Sequence, residues 1–181
     1  VRYGEGLYIG YRWFTARHLE PAVPFGHGLS YASFEWGTPN VTGSQSTDLL
    51  SDVVVEVDVT NTSERSGTEV VQLYIAPPES TLHRPPIELK GYAKLSLKPG
   101  ETKTASITLN FRSFAYFDPG DQFYNTLDAN SPVPRETGSR RTEPGWYAEP
   151  GVYDLVVARS ATNHHAVIEW ELSGEENYQN P

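Results

Sequence analysis

Between residues 55 and 60 apolar and polar side chains alternate strictly. Val53, Val55, Val57 and Val59 fall on one face of an extended chain, and Glu56, Asp58 and Thr60 on the other. That period of two predicts a half-buried strand. Residues 61–67, Asn-Thr-Ser-Glu-Arg-Ser-Gly, make a polar turn, after which Val71, Leu73 and Ile75 alternate with Gln72 and Tyr74 in a second strand. Pro77-Pro78 and Pro85-Pro86 bracket a loop, because proline cannot donate to a central ladder. The chain resumes as a strand over 89–97 and turns at Lys98-Pro99-Gly100-Glu101. Thr104, Ser106 and Thr108 then alternate with Ala105, Ile107 and Leu109. Segments 151–157 and 166–172 supply the last two strands. About seven short strands at this spacing predict an all-β, immunoglobulin-like sandwich.

Three stretches lack this pattern. Residues 1–31 are rich in aromatics and glycine with no sustained period of 3.6 or 2.0, and read as an extended lead-in arm. Residues 118–146 are rich in Pro, Gly, Asp, Asn and Arg and read as a long loop, a feature that in a compact domain is usually functional or mobile. Residues 174–181 form a polar tail expected to fray. The expected division is an arm at 1–31, a sandwich at 32–173 and the tail.

Composition supports one substantial core: 181 residues, 38% of them hydrophobic, with 15 glycines and 14 prolines favouring turns over long helices. A net charge of −9, with basic residues scattered apart from Arg140-Arg141, leaves no stripe to neutralise a phosphate backbone, so nucleic acid is not an expected partner. No apolar run approaches the ~20 residues of a membrane span, and the start lacks the basic-then-apolar pattern of a signal peptide. A soluble chain is expected; its compartment, cytoplasmic or secreted, is not assigned by the sequence. With no cysteine there are neither disulfides nor thiolate metal sites.

The run Pro24-Phe25-Gly26-His27-Gly28-Leu29-Ser30-Tyr31, followed by Phe34, is too unusual for generic punctuation. Together with the stretch from Tyr3-Gly4-Glu5-Gly6 to Tyr11-Arg12 upstream and segment 53–75 downstream, it resembles the C-terminal end of glycoside hydrolase family 3, the β-glucosidase and β-xylosidase group. The resemblance implies a fibronectin type III-like sandwich, with the arm as the end of the preceding α/β domain and its linker. It implies that Leu7, Ile9, Trp13 and Phe14 pack on that domain, with Tyr3, Glu5, Arg12, Phe25, His27 and Tyr31 as interdomain packing residues. A start at Val1 inside the motif, without any methionine, reads as a piece of a longer enzyme.

Glycoside hydrolysis needs two carboxyl groups facing each other across the sugar. The family's nucleophile is an aspartate on an N-terminal barrel, in a motif ending Ser-Asp-Trp or a close variant; Ser51-Asp52 is followed by Val53 and a strand, and does not match. The family's acid/base lies before the segment represented here, so Glu5 reads as a structural carboxylate, a candidate partner of Arg12. The chain alone is expected to be inactive and to need no cofactor.

Other candidates read as structural. Asp118, Asp121 and Asp128 lack the spacing of a calcium loop and fit turn chemistry. His164 and His165, adjacent on a strand, point to opposite faces and cannot easily share an ion. Sugar rings stack on flat aromatic faces, which makes Phe123, Tyr124, Trp146 and Tyr147 the candidate glycan contacts, against core packing. Asn40-Val41-Thr42 and Asn61-Thr62-Ser63 match the N-glycosylation triplet.

The reading is an accessory C-terminal domain of a β-glucosidase-like hydrolase, giving stability, interdomain packing and a loop able to reach the active-site rim. Its expected partners are the catalytic domains, encoded in the same chain or separately, and a β-linked glycan. The alternatives are a stand-alone carbohydrate-binding module and a generic interaction domain of the same fold.

Overall fold

The computed structural model describes residues 6–46, 52–79, 82–120, 142–174 and 177–179. In chain order the elements are α1 (Tyr11–Ala16), β1 (Phe34–Trp36), β2 (Asn40–Thr42), β3 (Val53–Asn61), β4 (Gly67–Ala76), β5 (Glu88–Leu97) and β6 (Thr102–Leu109). They continue with α2 (Phe111–Phe114), β7 (Tyr116–Asp118), β8 (Gly145–Ala148), β9 (Gly151–Ser160), β10 (Asn163–Leu172) and β11 (Asn177–Gln179).

One sheet has β3 at its centre, with β1 and β2 along one edge and β6 along the other; the second runs β10-β9-β4-β5. All these pairings are antiparallel. The alternating valines of β3 point inward with Ala105, Ile107 and Leu109 of β6. They meet Val71, Leu73 and Ile75 of β4, Tyr153, Leu155 and Val157 of β9, and Trp170 and Leu172 of β10 in one continuous core. This is the sandwich expected from the period of two, and fully burying each such side chain contributes roughly 1.5–3 kcal/mol. The sheets come very close at Gly91, where a Cβ would lie 2.5 Å from Cγ2 of Ile107.

Asn61 ends β3 fully buried. Its Nδ2 donates to the carbonyls of Arg65 (2.7 Å) and Leu97 (3.2 Å), while Oδ1 accepts from the amide and hydroxyl of Ser63. The 61–67 turn is therefore built around this side chain, and its glycosylation triplet is occupied by the fold. Asn40 is exposed on β2.

The structure departs from the sequence expectation in three places. The arm contains a six-residue helix, α1, too short to establish a helical period. It closes with a Schellman pattern, the amides of His18 and Leu19 donating to the carbonyls of Thr15 and Phe14, which places His18 at φ 51°. The tail returns to the fold, β11 pairing with β8, and β7, β8 and β11 form a small third sheet. Most consequential for the site, Gln72 and Tyr74 on the outer face of β4 are buried, because the arm lies over them.

Candidate functional site

The arm is fastened to the outer face of the second sheet at two anchors. At the first, the Tyr11 ring stacks on Phe25 at 4.9 Å and meets the Tyr74 ring edge-on at 5.7 Å, and its hydroxyl accepts the Leu89 amide at 2.8 Å. At the second, residues 24–27 form a turn closed by the His27 amide on the Pro24 carbonyl, with Gly26 at φ 81°. A glycine at this turn position supplies the positive φ without a steric penalty. It also makes room, since a Cβ on Gly26 would sit 2.1 Å from Oε1 of Gln72. Through that gap Gln72 Nε2 donates to the Gly26 carbonyl (3.0 Å) and to the Arg159 carbonyl (2.7 Å), while Oε1 accepts the buried Tyr74 hydroxyl at 2.6 Å. The Ala161 amide adds a bond to the Phe25 carbonyl.

Burial pushes the Tyr74 phenol well above its ordinary value, with Tyr11 adding to the shift. Tyr74 therefore acts as a neutral donor that keeps the Gln72 amide aimed at the arm. Nearby, Arg159 ties the same end of the sheet to β1: its guanidinium donates to Glu69 (2.6 Å) and to the Phe34 carbonyl (3.0 Å) and lies over the Trp36 ring at 4.3 Å. Burial raises Glu69 above the usual carboxylate value, Arg159 offsetting it only in part.

Arg12 pairs with Glu88 at 3.2 Å, and Glu88 also meets Arg84 (3.4 Å) and Lys90 (3.3 Å). Burial raises the Glu88 carboxyl, but Lys90, Arg84 and Arg12 outweigh it and hold the group below its ordinary value. Arg84, 4% exposed, also donates to the Phe114 carbonyl and lies over the Tyr116 ring.

Fastened in this way, the arm turns a row of apolar side chains outward. Ile9 is 68% exposed, Val23 67% and Leu19 52%, and Leu7, Trp13, Phe14, Phe25, Leu29 and Tyr31 are exposed with them. Phe14, Leu19, Val23 and Phe25 line a groove of about 480 Å³ closed by Ala161 and His164. Contiguous exposed apolar patches are a common property of interaction surfaces.

Of the residues singled out from the sequence, Arg12 and Phe25 are among the contacts that fasten the arm, while His27 at the end of the turn and Tyr31 beyond it are exposed. Tyr3, Glu5, Phe123 and Tyr124 lie outside the described residues. Trp146 is partly buried, edge-on to Phe117 at 5.5 Å and under the Arg112 guanidinium at 4.7 Å. Tyr147 is only 6% exposed and donates to the Glu143 carbonyl at 2.7 Å, so its ring packs inward rather than offering a face to a sugar. Sequence reasoning passed over Tyr11, Gln72, Tyr74 and Glu88; the one available signal was a glutamine and a tyrosine on the face of β4 expected to meet water. Among the described residues no group of three or more His, Asp or Glu side chains is placed to hold a metal ion.

A model of the fibronectin type III-like domain matches residues 69–161. The chain belongs to that family. This fibronectin type III-like chain is 40% identical over 173 residues to a β-glucosidase of Rhizobium radiobacter, covering 95% of this chain and 18% of the relative. It is 35% identical over 176 residues to an exo-α-(1→6)-L-arabinopyranosidase of Bifidobacterium breve, covering 97% and 20%. Among solved structures, β-glucosidase 3B of Thermotoga neapolitana in complex with α-D-glucose superposes with a TM-score of 0.77 at 29% identity, over 98% of this chain and 21% of that one. The chain thus spans about a fifth of the length of the relatives it matches, in which the fibronectin type III-like domain is part of a larger glycoside hydrolase.

Proposed function

We propose that this domain is the docking and stabilising module of a β-glucosidase-like glycoside hydrolase, with the arm as its contact to the catalytic portion. The observation that carries the reading is the pairing of rigid anchoring with outward apolar exposure. Tyr11, Gly26 and Arg12 fix the arm on the sandwich, and Ile9, Trp13, Phe14, Leu19 and Val23 are left facing away from it. An isolated arm would fold its apolar residues onto its own sandwich; this one presents them. In this role the domain contributes packing area and holds the catalytic portion, while the chemistry and the sugar specificity reside outside it.

The test is a chimera in which this chain replaces the matching segment of the Rhizobium radiobacter relative. We expect the chimera to hydrolyse an aryl β-glucoside, and Leu19→Asp or Trp13→Asp to shorten its thermal half-life without changing the fold of the isolated domain. The isolated chain is expected to show no turnover of the same substrate. Turnover by the isolated chain that a point change within it abolishes would overturn the reading, as would a chimera indifferent to both aspartates.

A further inference from the structure

A second, open cleft of about 470 Å³, lined on the arm side by Leu7 and Arg12, is large enough for one or two sugar rings. Its floor is the Glu88 cluster. Three cations, Arg12, Arg84 and Lys90, converge within 3.4 Å on this single carboxylate, whose Oε1 serves Arg12 and whose Oε2 serves Arg84 and Lys90. The cluster therefore keeps an excess of two positive charges. Lys90 has three ammonium donors and one ion pair, and Arg12, about a third exposed, likewise keeps N–H donors beyond its bond to Glu88. Burial holds the Lys90 ammonium below the ordinary lysine value; Glu88 opposes that shift, and Arg84 and Arg12 add to it.

The walls are of a different character. Phe117, 43% exposed, and Trp146 meet edge-on and line the cleft with Leu7 and Ala115. An aromatic wall beside a cationic floor recognises a ring with an apolar C–H face and a carboxylate at one end. The chain as a whole carries a charge of −9, so its long-range field repels anions, and an anion reaching this cleft is bound by local contacts rather than by general attraction.

We propose that this cleft is a binding site for a carboxylate-bearing sugar of the hexuronate class, with Lys90 and Arg12 on the carboxylate and Trp146 and Phe117 against the ring. The cleft shares Leu7 and Arg12 with the arm, but its carboxylate contact also rests on Lys90 of β5, which has no part in the docking role, so the Lys90→Gln readout is separate from the test of docking.

The probes are sodium glucuronate, glucose and sodium acetate at matched ionic strength, followed by NMR on the isotope-labelled chain. Glucuronate is expected to give saturable shifts at the Trp146 indole N–H and at the Lys90 and Arg12 side chains, with affinity at least about tenfold above that for glucose or acetate. Lys90→Gln is expected to weaken glucuronate roughly tenfold, and Lys103→Gln, on a different ion pair, to leave it unchanged. The unmodified chain carries the test should a variant fail to fold. Glucose binding as tightly as glucuronate would overturn the assignment by removing the role of the charge. Acetate binding equally tightly would overturn it in favour of a receptor for any carboxylate, such as an acidic side chain of a polypeptide. So would an absence of saturable shifts up to about 50 mM glucuronate.

Discussion

Replacing Gly26 by alanine tests the anchoring of the arm at a single methyl group. The new Cβ would lie 2.1–2.6 Å from the Gln72 amide atoms, and an alanine at φ 81° costs about 1–2 kcal/mol on backbone grounds. If the arm stayed docked, Gln72 would have to move and lose two bonds of about 1 kcal/mol each. The Tyr74 hydroxyl, fully buried, would lose its acceptor at a further ~1–3 kcal/mol. Releasing the 24–27 turn, with Tyr11 and Arg12 left in place on the sandwich, is the cheaper route. It forfeits the Gly26–Gln72 and Ala161–Phe25 bonds and the Tyr11–Phe25 stack, together about 3 kcal/mol. The expected result is a thermal transition lowered by roughly 6–12 °C, with trypsin cleaving at Arg17 faster than in the unmodified chain. Gly28→Ala, two residues along the same motif with open space around its Cβ position, is the internal control and should stay within about 0.5 kcal/mol of the parent. Equal effects from the two alanines, or an unshifted Gly26→Ala, would refute the argument that Gln72 reads the arm through the gap at Gly26.

Other outcomes follow from named contacts. Glu88→Gln leaves Arg12, Arg84 and Lys90 without their carboxylate and should destabilise by about 2 kcal/mol in urea titration, less than for a fully buried pair because Glu88 keeps some solvent contact. Because the folded-state pKa of Glu88 is depressed, its stabilisation is complete above the unfolded value of 4.5 and is lost as pH falls through the folded value; the variant should show a shallower acid limb. His18→Gly relieves a positive φ at the helix end and should stabilise the chain by about 1 kcal/mol, read as a higher urea midpoint. Secretion from a glycosylating host should modify Asn40 and leave Asn61 bare by intact-mass and peptide mapping. Asn61→Ala should cost about 3 kcal/mol through its lost side-chain bonds.

The sandwich was legible because β3 and β6 each bury one face, so their buried valines, alanine, isoleucine and leucine recur at every second position. The fastening of the arm on the sandwich was legible only in part. The run around Gly26 pointed to the arm, and Arg12 and Phe25 were named from it, but their partners Glu88 and Tyr11 were not. Arg12 and Glu88 stand seventy-six positions apart and Tyr11 and Phe25 fourteen, and a period of two reports neither contact. Gln72 and Tyr74 looked like solvent-facing residues of an ordinary strand, since nothing local to β4 shows that a distant segment will cover it. Helix α1 escaped because six residues complete fewer than two turns, and two of its three aromatics, Trp13 and Phe14, face outward instead of marking a buried stripe. For Tyr147 the sequence left sugar platform and core packing both open, and the ring is buried, 6.4 Å from that of Tyr116.

The central claim is that the outward row on the arm is covered by the catalytic portion of a larger hydrolase. Hydroxyl-radical footprinting of Trp13, Phe14 and Leu19 tests it most directly, comparing the isolated chain with the chimera built on the Rhizobium radiobacter relative. Strong modification of all three is expected in the isolated chain and protection of all three in the chimera, with surface Tyr92 modified equally in both. Equal modification of Trp13, Phe14 and Leu19 in both proteins would contradict it.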